Sequence, residues 1–434
     1  MKKANPTTLV PKSLLTEINR PNMRIAIIGA GAAGMMAAAK IQESRPEFQV
    51  FLVEKNGGLG HKVIISGGGR CNVTTGQEDM RVILDCYPRG SRFLTSALHR
   101  FPPPVVREWF ESRGVPLKCE KDLRIFPKSN DGKDVVRVFE RLFRANGARV
   151  LLKHEVAAIN KTANGSFQID FKGHPTLEVD KVLLTTGGQA HRHTGSTGDG
   201  YAFAEGLGHS VTPLAPSLNS FITQETWLKA VAGVSLPKVT LKTKLGKRMQ
   251  FTGPIVFTHR GLSGPAVFAL SALVAFENYT AQNSMHLSVD LFPDTPAPIL
   301  EQEWLKAVIE HPKKQLSNLL DQFLPQSLAE ALPGALGMEG TKRVNELSKK
   351  DQHKLLDALK NLPLNVVARG AGDEFVTAGG VDLNEVNPRT MESLICPGLY
   401  FAGELLNIDG FTGGFNLQAS WATGALAGEH LASL

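Results

Sequence analysis

The apolar run Ile25-Ala-Ile-Ile28 opens directly into Gly29-Ala-Gly31-Ala32-Ala33-Gly34 and an Ala/Met-rich stretch, and a second apolar run, Val50-Phe-Leu-Val53, ends on Glu54. Few patterns constrain a chain more. Strand, glycine turn, helix, strand and acid in register describe a βαβ unit. Its first glycine makes the turn, its second lets the backbone approach a pyrophosphate, and its third lets helix and strand pack closely. The free N–H groups of the helix start suit pyrophosphate oxygens. Glu54, followed by Lys55, is placed for a ribose, and its charge would repel a 2′-phosphate, so FAD or NAD fits better than NADP.

A chain of 434 residues is too long for one small core, which makes two or three domains the expectation. No apolar run approaches the ~20 residues needed to span a bilayer. Residues 1–22 precede the first strand and lack the apolar core and cleavage site of a secretory signal; they read as a flexible extension. Cys71, Cys86, Cys119 and Cys396 are scattered, with no C-x-x-C pair and no metal-ligand spacing. That usage fits a reducing cytoplasm and argues against a dithiol-disulfide reductase, which needs neighbouring sulfurs. Charge is uneven. From Arg81 to Lys153 sixteen Lys/Arg stand against eight Asp/Glu, an excess that accounts for the net +7 of the whole chain. Such a field suits a polyanion partner, or else is a solvated helical surface.

Behind Glu54 comes Ser66-Gly67-Gly68-Gly69-Arg70-Cys71-Asn72. Three consecutive glycines weaken both helix and strand but permit close backbone approach to a ligand. There Arg70 can neutralise phosphate and Asn72 can offer an amide to a ring. Arg149–Leu152 and alternating Phe167–Phe171 suggest a small meander, and Asp180–Thr186 reads as a buried strand emerging into Gly187-Gly188.

From about His191 to Gly370 the pattern changes. Strand-like Lys238–Lys244 and His286–Phe292 flank Pro254–Pro265, and a helix-rich stretch runs from Ile299 to Leu362, with Trp304, Leu305, Val308, Leu316, Leu319, Leu320 and Phe323 as its core. This describes an inserted β-barrel-like domain carrying a helical subdomain. A second G-x-G-x-x-G is missing, so a separate Rossmann domain for a nicotinamide is not expected. The chain then closes with Gly398-Leu-Tyr-Phe-Ala-Gly403-Glu404 and Gly410-Phe-Thr-Gly413-Gly414-Phe415-Asn416, which lead into an Ala-rich helix. A strand, a glycine turn and a helix start suit a flavin: Glu404 reaches ribityl hydroxyls, and the helix dipole favours negative charge on the reduced ring.

Taken together, Gly29–Gly34, Ile65–Asn72, Phe257-Thr-His-Arg-Gly-Leu-Ser-Gly-Pro265, Val376-Thr-Ala-Gly-Gly-Val381, Thr390-Met-Glu-Ser393 and Gly398–Gln418 resemble the YhiN/BaiN/RdsA family of FAD-dependent oxidoreductases from about Met23 to the C-terminus. The resemblance implies an α/β fold: a Rossmann-like FAD-binding domain built from both chain ends, with a β-barrel-like insert and a helical subdomain. The expected boundaries are 23–190 and 375–434 for the FAD domain, 191–295 and 363–374 for the barrel, and 296–362 for the helices. With the motifs it gives a cofactor set of Gly29, Gly31, Ala32, Ala33, Gly34, Glu54, Lys55, Lys62, Ser66, Gly68, Gly69, Arg70, Cys71, Asn72, Val156, Thr186, Gly187, Gly188, Gly403, Glu404, Gly413, Gly414, Phe415 and Asn416.

The implied activities are reduction of a uridine in large-subunit ribosomal RNA to dihydrouridine, reduction of steroid-type enones, or oxidation of small amines. NADH or NADPH would serve as transient electron donor. Structured RNA or a small molecule, not DNA or a membrane, would be the partner. Cys71, His259 and Arg260 are the candidate proton donors or orienting groups, each in a matching loop. Three functional classes stand: a reductase acting on RNA, a reductase or oxidase of a small molecule, and a non-enzymatic RNA-binding flavoprotein. This sequence departs from the family pattern at His61, where arginine is usual, at Asn407, where aspartate is common, and at Phe415, where tyrosine is common.

Overall fold

The computed structural model describes residues 22–245, 247–370 and 374–434. The expectation for residues 1–22 falls on 1–21, outside the described residues. Strand Arg24–Ile28 lies at the centre of a five-stranded parallel sheet, between Gln49–Glu54 and Lys181–Leu184. Arg149–Leu152 extends one side and Leu399–Phe401 the other. The central strands read as unbroken apolar runs because helices cover both faces. Arg149–Leu152 therefore belongs to this sheet and not to the meander expected from the sequence. The meander is Val156–Lys161, Phe167–Phe171 and Leu177–Val179. Periodicity could not separate the two, because a half-buried edge strand and a meander strand look alike.

Helix Ala32–Ser44 follows the glycine turn, and the last helix, Phe415–Ser433, lies against it. The contact is backbone to backbone: a Cβ at Gly428 would come within 2.6 Å of the Ala37 carbonyl oxygen. Gly424 meets Ala33 in the same way one turn earlier. Trp109, Phe110, Phe139 and Trp421 stack and edge together behind this helix pair. A small antiparallel sheet of Thr74–Thr75, Arg124–Pro127 and Leu117–Cys119 flanks it.

Six strands close a barrel in the order Phe221–Thr223, Gly261–Ser263, Lys247–Thr258, Ser235–Leu245, Met285–Asp290 and Leu362–Arg369. The helices Ala297–Glu310, Leu316–Leu320, Gln326–Ala335 and Lys349–Asn361 share its apolar core, with Trp304 packed on Phe323. Leu305, expected in that core, is 43% exposed because it falls on the outer face of its helix. The stretch after 191 also packs differently from the expectation. Tyr201 and Ala204, on helix Asp199–Gly206, sit in the core of the parallel sheet, so barrel structure begins at Phe221. The two units meet through the ribbon Ala215–Ser217 with Val376–Ala378.

Across that seam the fully buried Asp409 carboxylate takes hydrogen bonds from the Arg89 guanidinium and from Ser217 Oγ at 2.7 Å. Arg89 also donates to the Ala272 carbonyl at 3.0 Å, on the barrel helix Pro265–Leu273. Among the described residues no helix is long and apolar enough to cross a membrane.

Candidate functional site

The glycine turn has the geometry its sequence demands. Gly29 has φ +106°, and a Cβ there would lie 2.6 Å from the Thr185 carbonyl oxygen. A Cβ on Gly34 would run into the Gly29 carbonyl and stand 2.6 Å from Thr185 Oγ1. Gly31 is the opposite case, since nothing lies within 4 Å of the point where its Cβ would be. It precedes a helix whose first turn carries no side-chain cap and no acid. That leaves free N–H groups and the positive end of a helix dipole facing open space, the requirement for a pyrophosphate. Ala32 and Ala33 are buried in that first turn.

Beside the turn lies a half-open cleft lined by Gly29, Glu54, Lys55, Val156, Thr186 and Asp199 among others. Glu54 is a brace as well as a wall: one carboxylate oxygen accepts from Ala30 N at 3.0 Å, the other from Asn56 N at 2.8 Å. Lys55 pairs with Asp199 and Thr197 across the cavity mouth. Burial pushes the Asp199 pKa up, but hydrogen bonds from Lys55 and Thr197 outweigh it and hold the carboxyl below its usual value.

At the far end the structure joins four segments in one network. Lys62 Nζ pairs with Glu404 Oε2 at 2.5 Å and reaches Ser196 Oγ at 3.3 Å. Ser196 donates to the Gly188 carbonyl, and Glu404 Oε1 accepts from Thr377 N at 2.9 Å. Thr377 Oγ1 accepts from Gln189 N at 2.7 Å, which holds the Gly187-Gly188 turn. Thr377 and Ser196 were not singled out from sequence. Their signal lay in the glycines around them, Gly195-Ser-Thr-Gly198 and Thr377-Ala-Gly-Gly380, which mark turns and say nothing of which hydroxyl faces inward.

In the triple-glycine loop Gly67, Gly68 and Gly69 all have positive φ, and open space surrounds the last two. Arg70, expected on a phosphate, is held by Glu120 at 2.7 Å and lies over the Phe126 ring. Ser66 Oγ donates to the Val63 carbonyl. Cys71 is wholly buried, and burial pushes its thiol up to about 12. Its side chain packs within the parallel-sheet core, with no surface exposed in this structure.

His259 and Arg260 are exposed at the turn between barrel strands Lys247–Thr258 and Gly261–Ser263. The hydrogen-bond network around Lys62 and Glu404 does not include them. Gly403 fits against the Ala33 methyl, and Gly414 against the Thr74 backbone. Asn416 closes the preceding loop by exchanging hydrogen bonds with Gly410 at 2.8 Å. Phe415 is buried edge-to-face on Tyr87, whose hydroxyl goes to the Phe415 carbonyl at 2.8 Å. Gly413 lies against the Phe415 ring.

Several buried polar atoms around these turns have no protein partner: Thr186 Oγ1, Asn72 Oδ1, Tyr201 OH and Asn407 Oδ1. Buried polar groups are normally satisfied. Orphans at Thr186 and Asn72, together with the open approaches at Gly31, Gly68 and Gly69, are what a long polar ligand laid along these turns would leave behind. The residues present fit a flavin dinucleotide.

Residues 23–430 match the family described as HI0933-like protein Rossmann domain. The chain belongs to that family. Membership agrees with the resemblance noted from the motifs, to FAD-dependent oxidoreductases. One relative is the 3-dehydro-bile acid delta(4,6)-reductase of Clostridium scindens, 32% identical over 94% of this chain and 98% of that protein. Another is the ribosomal RNA dihydrouridine synthase of Escherichia coli, also 32% identical, over 92% of this chain and 95% of that protein. Among solved structures, the open conformation of a flavocytochrome c3 fumarate reductase shares the fold. It has a TM-score of 0.50 and 16% identity and covers 100% of this chain and 82% of that one. A 3-ketosteroid delta1-dehydrogenase from Sterolibacterium denitrificans does so with a TM-score of 0.50 and 14% identity, over 94% of this chain and 99% of that one.

Proposed function

We propose that this HI0933-like protein uses FAD, reduced by NADH or NADPH, to saturate a carbon–carbon double bond conjugated to a carbonyl, and that its substrate is a uridine in structured ribosomal RNA. Bound FAD supplies a hydride from its reduced ring. The protein's own groups do the rest. The helix start at Gly31 holds the pyrophosphate, Glu54 the adenosine ribose, and Glu404, fixed by Lys62 and Thr377, the ribityl chain. The start of helix Phe415–Ser433 carries no acid and favours negative charge on the reduced ring.

The chemistry common to the named relatives supports the reaction class. C5=C6 of uridine and the double bond of an unsaturated keto-steroid are both polarised by a carbonyl, and each takes a hydride at the far carbon and a proton at the near one.

One observation carries the RNA substrate. Lys121, Lys128 and Lys133 are exposed; Gly132, next to Lys133, donates its N–H to the Gly69 carbonyl at 2.9 Å, and Glu120, next to Lys121, pairs with Arg70 of the same loop. Two of these cations thus adjoin, along the chain, residues bonded to the triple-glycine loop, and a phosphate backbone reaching that loop would meet them. A small enone is the second reading. It is favoured by the ion pairs that already engage Arg89, Arg100, Arg113, Arg124 and Arg137 within the basic region. Mass spectrometry of ribosomal RNA from a strain lacking the gene decides between them: loss of dihydrouridine supports the RNA substrate, and an unchanged level refutes it. Affinity of the purified protein for that RNA should fall steeply with salt, because neutralised phosphates release counterions.

A further inference from the structure

Between the Lys62–Glu404 network and the barrel lies His191, a residue outside the glycine motifs. Its backbone is left-handed, φ +56°, which is uncommon for a residue with a Cβ and is here enforced by its neighbours. Its carbonyl accepts from both the N–H and the hydroxyl of Thr194 at 2.8 Å, and the preceding residues hang from Thr377. The half-buried ring sits edge-on to His193 at 5.8 Å and tilted against Phe375 at 6.0 Å. Phe375, 44% exposed, meets Phe268 of the barrel helix at 5.2 Å. An imidazole is thus fixed at the seam, with an aromatic wall on one side and the flavin set on the other.

We propose that His191 is a catalytic residue: in its neutral form it donates an N–H hydrogen bond to the substrate carbonyl that activates the double bond. The inference rests on the function proposed above. Hydride from reduced flavin forms the new C–H bond at the carbon distal to the carbonyl, and the π electrons move toward the carbonyl oxygen. A water proton completes the carbon next to the carbonyl. One hydride and one proton are added, and the flavin is reoxidised. His191 holds the oxygen where negative charge develops, and neither gains nor loses a proton overall.

The surroundings keep the ring neutral. Burial lowers its pKa first, and the cations Lys62 and, when protonated, His193 lower it further, against an upward pull from Glu404 and Glu374. Arg192, next in the chain, donates to Gln189 Oε1 at 2.6 Å. Phe375 and Phe268 supply a flat apolar wall suited to a planar ring.

The test uses the flavin-loaded enzyme in anaerobic stopped flow, with ribosomal RNA from the deletion strain and 2-cyclohexen-1-one as probes. His191→Ala should leave bleaching of the flavin by NAD(P)H unchanged and slow reoxidation by the probe about 100-fold, the usual cost of one such donor. His191→Gln, which keeps an N–H, should recover most of that loss. His191→Asn, at ease in left-handed backbone, controls for strain. Independently of turnover, adding FAD to the apoprotein should shift the His191 imidazole in ¹⁵N NMR and leave His286, on the barrel wall, unmoved.

If wild-type flavin is reoxidised by neither probe, the proposed function falls and this role with it. If wild type works and His191→Ala keeps pace, or FAD leaves the His191 signal unchanged, the role of His191 alone is overturned. A variant that loses FAD affinity and both half-reactions together would mark a structural residue and overturn it equally.

Discussion

Alanine at Gly31 and alanine at Gly34 should fail in opposite ways, although the two sites are one helical turn apart. At Gly34 the added methyl stands 2.6 Å from Thr185 Oγ1 and collides with the Gly29 carbonyl, which that hydroxyl bonds at 2.7 Å. Neither neighbour is a flexible side-chain tip. Overpacking costs about 1–3 kcal/mol and the lost hydrogen bond about 1 more, so Gly34→Ala should destabilise the apoprotein by about 2–4 kcal/mol. At Gly31 the backbone, φ −80° and ψ −169°, suits any residue, and nothing lies within 4 Å of the new methyl. The apoprotein should be unchanged, or gain about 0.4–1 kcal/mol from a stiffer unfolded chain. FAD is another matter, because the methyl occupies the approach assigned to the pyrophosphate. Affinity should fall at least about tenfold, equal to about 1.4 kcal/mol. Urea unfolding of the apoproteins and fluorescence titration with FAD read both quantities. A Gly31→Ala protein that binds FAD as tightly as wild type would refute the placement of the pyrophosphate over this turn.

Arg89→Ala strips the buried Asp409 carboxylate of its cation and should destabilise the protein by about 3–5 kcal/mol in urea unfolding; a cost under about 1 kcal/mol would show the pair to be dispensable. Thr186→Val removes a buried hydroxyl with no protein partner, so the apoprotein should hold or gain stability while FAD binding weakens. Tighter FAD binding would contradict its assignment as a ligand contact. Cys119 should react with a thiol reagent at neutral pH while Cys71 reacts only on unfolding, since one is exposed and the other buried. The Cys71 thiol rises from 9.0 to about 12 in the folded protein, so its contribution to stability is complete below pH 9 and declines as pH climbs toward 12. Cys71→Ala should flatten the alkaline fall in stability; an identical slope would rule out that titration.

The geometry of the glycine turn was legible because its glycines answer to steric rules that act within a few residues: Gly29 and Gly34 meet backbone that the same motif supplies, or that the next parallel strand brings. Glu404 was legible for the same reason, standing just beyond a short buried strand. Thr377, Ser196 and His191 were not, because each matters through partners far away in sequence, and a hydroxyl or imidazole in a loop carries no periodicity. Cys71 misled in the other direction. Its glycine neighbours leave open space, but Cys71 itself, with left-handed backbone at φ +59°, is wholly buried. Arg149–Leu152 shows the same limit for strands, since the sheet it joins is decided by the parallel register with Gln49–Glu54. The contact of Gly424 and Gly428 with Ala33 and Ala37 was written in the sequence as a four-residue glycine spacing, yet only the fold says which helix answers it.

Among the described residues the parallel sheet contains both the first strand, Arg24–Ile28, and the last, Leu399–Phe401, while every barrel strand lies between. Vectorial synthesis therefore delivers the barrel's strands well before the dinucleotide fold can close. Residues 24–54 must wait, their glycine turn unsupported, until helix Phe415–Ser433 has been made and packs on Ala32–Ser44. A binding turn completed from both sides in this way would take up flavin only after the strands of the inserted barrel have been made.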